Sequence, residues 1–152
     1  MNSLLERAKS LTNEQFAGKT DKSGVDYYKG HLSSVASLVS TDEEKIVAFL
    51  HDLLEDTDYP EDKLRKEFRD RIVDAVALLT HREKLDEEGY IDYIRRLKDS
   101  GNDLAIAVKI ADLTNNSDYM RLGVNCPEDL ADEDYRRYKK YQKALSILKG
   151  GS

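Results

Sequence analysis

The chain has 152 residues, a single cysteine and a net charge of −6, with 39% hydrophobic and 36% charged residues. That length builds one domain with a sizeable core, and the lone Cys126 excludes a disulfide framework or a sulfur-rich zinc site. The acidic balance argues against a nucleic-acid polymer as ligand, and no run approaches the roughly 18 apolar residues of a membrane span.

From the N-terminus, Ser3 to Leu11 is a short amphipathic piece, and Thr12 to Gln15 matches the S/T-x-x-E/Q capping box of a helix that soon meets Gly18. The N-terminal MNSLLERAKS carries charges where a signal peptide needs an apolar core, so a cytoplasmic protein is expected. Gly18 to Gly24 (GKTDKSG) is a loop of turn formers ahead of His31, in which Lys19 and Lys22 are placed to lean over a site built around that histidine. Tyr27 to Val39 carries the helical stripe Leu32, Val35, Ala36 and Val39. Thr41 with Glu44 repeats the capping box and opens a helix to Asp56, with Ile46, Val47, Leu50, Leu53 and Leu54 on its apolar face.

Pro60 to Arg69 starts a new helix with acids in its first turn, and Ile72 to Leu79 and Tyr90 to Leu97 come next, the latter stopped at Ser100-Gly101. Asn102 or Asp103 caps the run Leu104 to Asn115, which is apolar on nearly every face and therefore a buried helix. Pro127 opens the last helix, which runs to about Leu148 with Tyr135, Tyr138 and Tyr141 along one edge. These tyrosines read as an aromatic edge packed on the bundle, and one that faced a metal cleft could instead stack on a base or bond a ribose. Residues 150–152 (GGS) form a flexible tail. The expected fold is all-α, one domain over residues 1–149 around the Leu104 to Asn115 helix.

Four residues stand out within this pattern. His31, His51, Asp52 and Asp112 each lie in or beside an apolar helical stripe, and two imidazoles with two carboxylates can converge on one divalent metal ion. Asp52, Glu55, Asp56 and Asp58 crowd the end of their helix ahead of Pro60, the unfavourable end of the macrodipole for negative charge, which a bound cation would offset. Asp112 sits on one face with Lys109 and Asn116, so an ion pair across one turn and a metal ligand are both open readings for it. His31 alone would pass for a core histidine, and His81 is expected to be a solvated residue outside the site. Cys126 has no base beside it in the sequence and is expected to be structural.

The pattern H…HD…D resembles the HD-domain metal-dependent phosphohydrolase superfamily. More specifically, FAGKTDKSG before His31, HDLLEDT from His51 and VKIADLTNNSD from Val108 resemble the hydrolase domain of RelA/SpoT homologues and their small single-domain relatives, over roughly Gln15 to Leu122. The resemblance implies a manganese-dependent hydrolase of the alarmone (p)ppGpp. By it, His31, His51, Asp52 and Asp112 ligate the metal, Glu55 and Asp56 position or deprotonate the attacking water, and Lys19, Lys109, Asn116 and Tyr138 contact the nucleotide. The expected ligand is then a small nucleotide, and a homo-oligomer stays open.

The chain departs from the pattern G-x-P-Y-x-x-H-P, having one extra residue between Gly24 and His31 and neither proline; Leu113 stands at an often basic position and Asn115 at one sometimes occupied by histidine. These changes touch the substrate side more than the metal. A hydrolase of another nucleotide, such as a 5′-nucleotidase, is the nearest alternative, and an inactive nucleotide- or partner-binding helical module is a third.

Overall fold

A computed structural model describes residues 2–20, 24–81 and 85–150; Lys22 and the last two residues of the tail lie outside these. Among the described residues the fold is all-α, with α1 (Asn2–Gln15), α2 (Ser33–Ser37), α3 (Asp42–Leu50), α4 (Leu53–Asp56), α5 (Glu61–Glu67), α6 (Asp70–Leu79), α7 (Glu87–Asp99), α8 (Asp103–Asn116) and α9 (Asp132–Leu148). The one β-type pairing among them is an isolated bridge between Thr20 and Asp26. No helix there is long and apolar enough to cross a membrane.

Two helices share the centre. α3 packs on α1, α2, α6 and α8, while α8 also packs on α2, α6, α7 and α9. The main core contains Phe16, Leu32, Ile46, Leu50, Leu53 and Ile72, and a second cluster gathers Tyr90, Ile94, Leu113, Ala144 and Leu148 under α7 and α9. Ala105, Val108 and Ala111 of α8 belong to the first and Leu113 to the second, which explains why this helix is apolar almost all round. Truncating a fully buried leucine such as Leu50 would cost about 2 to 5 kcal/mol.

The capping box at Thr41 forms, with the Glu44 N–H donating to Thr41 Oγ1 at 3.1 Å and the Thr41 N–H to Glu44 Oε1 at 2.9 Å. The one at Thr12 does not. Thr12 is buried inside an uninterrupted α1, and its hydroxyl donates to the Ala8 carbonyl at 2.8 Å, so the helix continues through it. Asn102, not Asp103, caps α8 by accepting from the Ala105 N–H at 3.0 Å. Asp86 caps α7 through the Gly89 N–H at 2.7 Å, starting that helix earlier than its apolar pattern shows. Pro127 opens only a 3₁₀ turn, Pro127–Asp129; Leu130 is extended and buried, and α9 begins beyond it at Asp132.

Two further departures bear on function. The helix expected from Thr41 to Asp56 breaks at His51 and Asp52, where Asp52 takes φ −100° and ψ −1°, a bridge conformation common in active sites. The segment before α2 contains a π-turn, Tyr28–Leu32, closed by the Ser33 N–H and hydroxyl on the Tyr28 carbonyl, the hydroxyl at 2.9 Å. An i→i+5 turn takes in one more residue than an α-turn.

Candidate metal centre and its cleft

Four donor atoms meet where the π-turn, the α3–α4 break and α8 come together. His31 Nε2 lies 2.9 Å from Asp112 Oδ1 and 3.6 Å from Asp52 Oδ2, and His51 Nε2 lies 3.2 Å from Asp52 Oδ2 and 3.3 Å from Asp112 Oδ1. Ligands held about 2.1 Å from a metal are separated by ~3.0 Å at right angles and ~3.4 Å in a tetrahedron. These four imidazole–carboxylate distances are of the length expected between neighbouring ligands of one ion, and the donor atoms of His31, His51 and Asp52 all lie within 4.8 Å of one another.

The outer ring nitrogens are tied down. His31 Nδ1 donates to Asn115 Oδ1 at 3.0 Å and His51 Nδ1 to the Ala48 carbonyl at 2.5 Å, so each ring turns its Nε2 edge toward the carboxylates. Although His51 Nε2 is near both carboxylates, it is fully buried and makes no well-directed hydrogen bond among the described residues. Burial pushes the His51 imidazole down, but Asp52 and Asp112 outweigh it and raise its pKa well above the usual value. Burial pushes the Asp52 carboxyl up; His51 and His31 reverse this and hold it at about 2. Asp112 is likewise held well below the carboxylate range, against burial, by Lys109 and His51. The cluster thus draws positive charge into a buried site, and a divalent cation fits both its donors and its electrostatics.

Asp112 satisfies both readings left open for it, because its two oxygens divide the work. Oδ2 accepts from Lys109 Nζ at 3.1 Å, while Oδ1 faces the imidazoles and accepts from Asn116 Nδ2 at 3.2 Å. Lys109 is buried between the rings of Tyr90 and Tyr93, 5.6 and 5.4 Å from their centroids. Lys109 and Asn116 border the cleft, where the Lys109 ammonium and the Asn116 amide N–H both donate to Asp112.

Beyond the break, Glu55 Oε1 accepts from the backbone N–H of His81 at 3.0 Å. Withdrawal from water, with repulsion from Asp52 and Glu55, pushes the Asp56 carboxyl up to about 6. Asp52, Glu55 and Asp56 also bring carboxylate oxygens within 4.8 Å of one another. Lys19 donates to the Asp56 carbonyl at 2.6 Å, placing a cation at the crowded C-terminal end of α4. It lines a smaller side pocket with Phe16, Thr20, Tyr27 and Asp56, not the main cleft.

The cleft lined by His31, Asp52 and Asp112 measures about 490 Å³. Its other side comes from α7, the segment after α8, and α9: Tyr90, Tyr119, Arg137, Tyr138, Lys140 and Tyr141. Lys140 Nζ rests 4.6 Å from the Tyr90 centroid and 5.4 Å from that of Tyr141, and burial beside Arg137 and Lys109 lowers its pKa. Tyr138 meets Tyr119 edge-on at 5.9 Å. His81, expected outside the site, lines this cleft, its ring edge-on to Tyr93 at 4.7 Å. No sequence signal marked it. Asn115 is another residue that sequence reasoning passed over in its actual role, although its place three residues after Asp112 puts it on the same side of α8.

These features define a class: an all-α fold whose two central helices and one wide turn bring together a His/Asp cluster able to hold a divalent metal. No protein-family model and no curated protein sequence matches the chain. Its fold does match a solved structure described as that of a metazoan ortholog of SpoT that hydrolyzes ppGpp and plays a role in starvation responses. The TM-score is 0.77, with 18% sequence identity, over 99% of this chain and 88% of that one. At that identity the likeness is one of fold.

Proposed function

We propose that this protein is a metal-dependent nucleotide phosphohydrolase, acting in the cytoplasm on guanosine 3′,5′-bis(diphosphate) or its 5′-triphosphate form and releasing the 3′ pyrophosphate. The observation that carries this is the four-donor cluster opening into a cleft of about 490 Å³, with the Glu55 and Asp56 carboxylates one turn beyond and aromatic and basic side chains opposite. That volume is within the roughly 300 to 1,000 Å³ of small-molecule sites. The fold likeness to a protein that hydrolyzes ppGpp supports the choice of nucleotide.

His31, His51, Asp52 and Asp112 would hold the ion, and Mn²⁺ suits their mixed imidazole and carboxylate shell. A divalent ion there supplies an acidified water and a counter-charge for the phosphoryl oxygens. Glu55, fixed by the His81 N–H, takes the proton of the attacking water on its other oxygen. The water oxygen bonds to the phosphorus next to O3′, the P–O3′ bond breaks, and pyrophosphate leaves. Asp56, with its carboxyl near 6, exchanges protons close to neutral pH and protonates the departing O3′. In this reading the Tyr138 ring stacks on the base and Lys140, which lines the same cleft, meets the phosphates.

The test is turnover of ppGpp, pppGpp, GTP, GMP and dAMP by Mn²⁺-loaded protein, with pyrophosphate and orthophosphate read separately. Pyrophosphate from the first two compounds alone is the expected result. Turnover of the others alone would keep the metal chemistry and overturn the substrate.

A further inference from the structure

Tyr27 occupies a position that neither the metal ligands nor the carboxylates account for. Its hydroxyl donates to Asp52 Oδ2 at 2.5 Å, the same oxygen that lies 3.2 Å from His51 Nε2 and 3.6 Å from His31 Nε2. The ring is clamped from both sides, stacked on Phe16 at 5.1 Å and tilted against His31 at 5.2 Å. Burial and the Asp52 charge raise the phenol pKa far above its usual value, so it stays a donor. Tyr27 immediately precedes the π-turn that carries His31. Asp26 caps that turn, its carboxylate accepting from the Lys29 N–H at 3.1 Å and its carbonyl from the Gly30 N–H at 2.7 Å.

Asp52 needs such a partner. It sits at the break between α3 and α4 in a bridge conformation, with no side-chain cap hydrogen bond to the backbone of α4. Its neighbours in the cluster are anchored elsewhere: His31 on Asn115, His51 on Ala48, Asp112 on Lys109 and Asn116. Among the hydrogen bonds of Asp52 between side chains, the one from Tyr27 is short and comes from outside the donor set.

We propose that Tyr27 is a positioning residue of the metal centre, holding Asp52 Oδ2 in the coordination shell, and that the π-turn sets Tyr27 and His31 in register to do so. The proposal rests on the metal-centre reading. Second partners of metal ligands typically contribute 10- to 100-fold in metal affinity.

Calorimetric Mn²⁺ titration of the wild type, Tyr27→Phe and Tyr27→Leu tests this, together with thermal melts of the metal-free proteins and visible spectra of their Co²⁺ forms. The expected result is a Kd for Mn²⁺ raised about 10- to 100-fold in both variants, with an altered Co²⁺ spectrum. Tyr27→Phe should melt near the wild type because its ring still stacks on Phe16, and only Tyr27→Leu should melt lower. A wild-type Kd and Co²⁺ spectrum in Tyr27→Phe would overturn the positioning role while leaving the metal centre standing. Absence of any Mn²⁺ binding by the wild type would overturn both. If Tyr27→Phe does not fold, the wild type decides: a slowly exchanging hydroxyl proton with a nuclear Overhauser contact to the Phe16 ring should shift on addition of Zn²⁺. No shift in a Zn²⁺-saturated sample would reject the proposal.

Discussion

One side of the cleft comes from the π-turn, the α3–α4 break and α8, the other largely from α7 and α9. On the first side each donor has a fixed partner: Asn115 for His31, Ala48 for His51, Tyr27 for Asp52, Lys109 and Asn116 for Asp112. Those groups are sunk against the main core, where close packing leaves few alternative rotamers. On the second side, rings and cations lean on one another, with Lys140 over Tyr90 and Tyr141 and Tyr138 against Tyr119 and Tyr135. Such contacts are weakly directional and adjust to a ligand. Under the proposed function, bond-breaking would fall to the first wall and ligand selection to the second, so each should be open to disturbance without the other.

Asp112→Ala is the strongest way to break the first wall. It strands the buried Lys109 ammonium and removes one contact from each imidazole, so we expect a loss of about 3 to 5 kcal/mol. The melting temperature should fall on the order of 10 °C. Mn²⁺ binding and turnover should both vanish, and a normal Mn²⁺ titration of the folded variant would take Asp112 out of the centre. Glu55→Gln acts on the same wall without touching the four donors. Turnover should slow on the order of 10² to 10⁴ with Mn²⁺ affinity kept; weakened Mn²⁺ binding would make Glu55 a ligand.

Lys140→Ala sharpens the comparison from the opposite side. A charge-assisted contact to a phosphate is worth enough to raise KM about 10-fold when lost, while kcat and the Kd for Mn²⁺ should hold. A fall in kcat at constant KM would show that α9 takes part in the transition state and that the two walls are not separable.

The first wall was more legible than the second, for a physical reason. His31, His51, Asp52 and Asp112 break apolar stripes, and a buried charge without a partner is costly enough to announce a site. Thr41 and Glu44 marked the start of α3 because a capping box is a local device. The break at His51 and Asp52 carried no such mark: these residues meet groups from α8 and the π-turn, partners far off in the chain that no helical period registers. Pro127 signalled a helical turn but not its length, because the extended Leu130 is fixed by burial. Lys19 and Lys109 looked alike as candidate nucleotide contacts; in the fold the first donates to the Asp56 carbonyl at the end of α4 and the second pairs with Asp112. A lysine states its charge in the sequence and its partner only in the fold. The tyrosines and cations of α9 face a cleft that exists only once α7 and α8 are in place.

Asp56 lines the cleft at an exposed position, and it yields the smallest effect. Its pKa rises from 3.8 to about 6, mainly by withdrawal from water and then by repulsion from Asp52 and Glu55. A raised carboxyl pKa means that the folded state holds the proton more tightly than the unfolded chain. The stability gained from the protonated form is complete below about pH 4 and is lost as the pH rises through 6, so at pH 7 the charged carboxylate works against the metal-free fold. Asp56→Asn should therefore raise the melting temperature of the metal-free protein at pH 7 and leave it unchanged at pH 4. Because Asp56 opens to solvent, screening keeps the gain below about 1 kcal/mol, or roughly 2 to 4 °C. Saturating Mn²⁺ should shrink the difference, since a cation beside Asp52 offsets the repulsion that the substitution relieves. Equal gains at pH 4 and pH 7 would place the cause in packing and leave the cleft without its proton-exchanging acid.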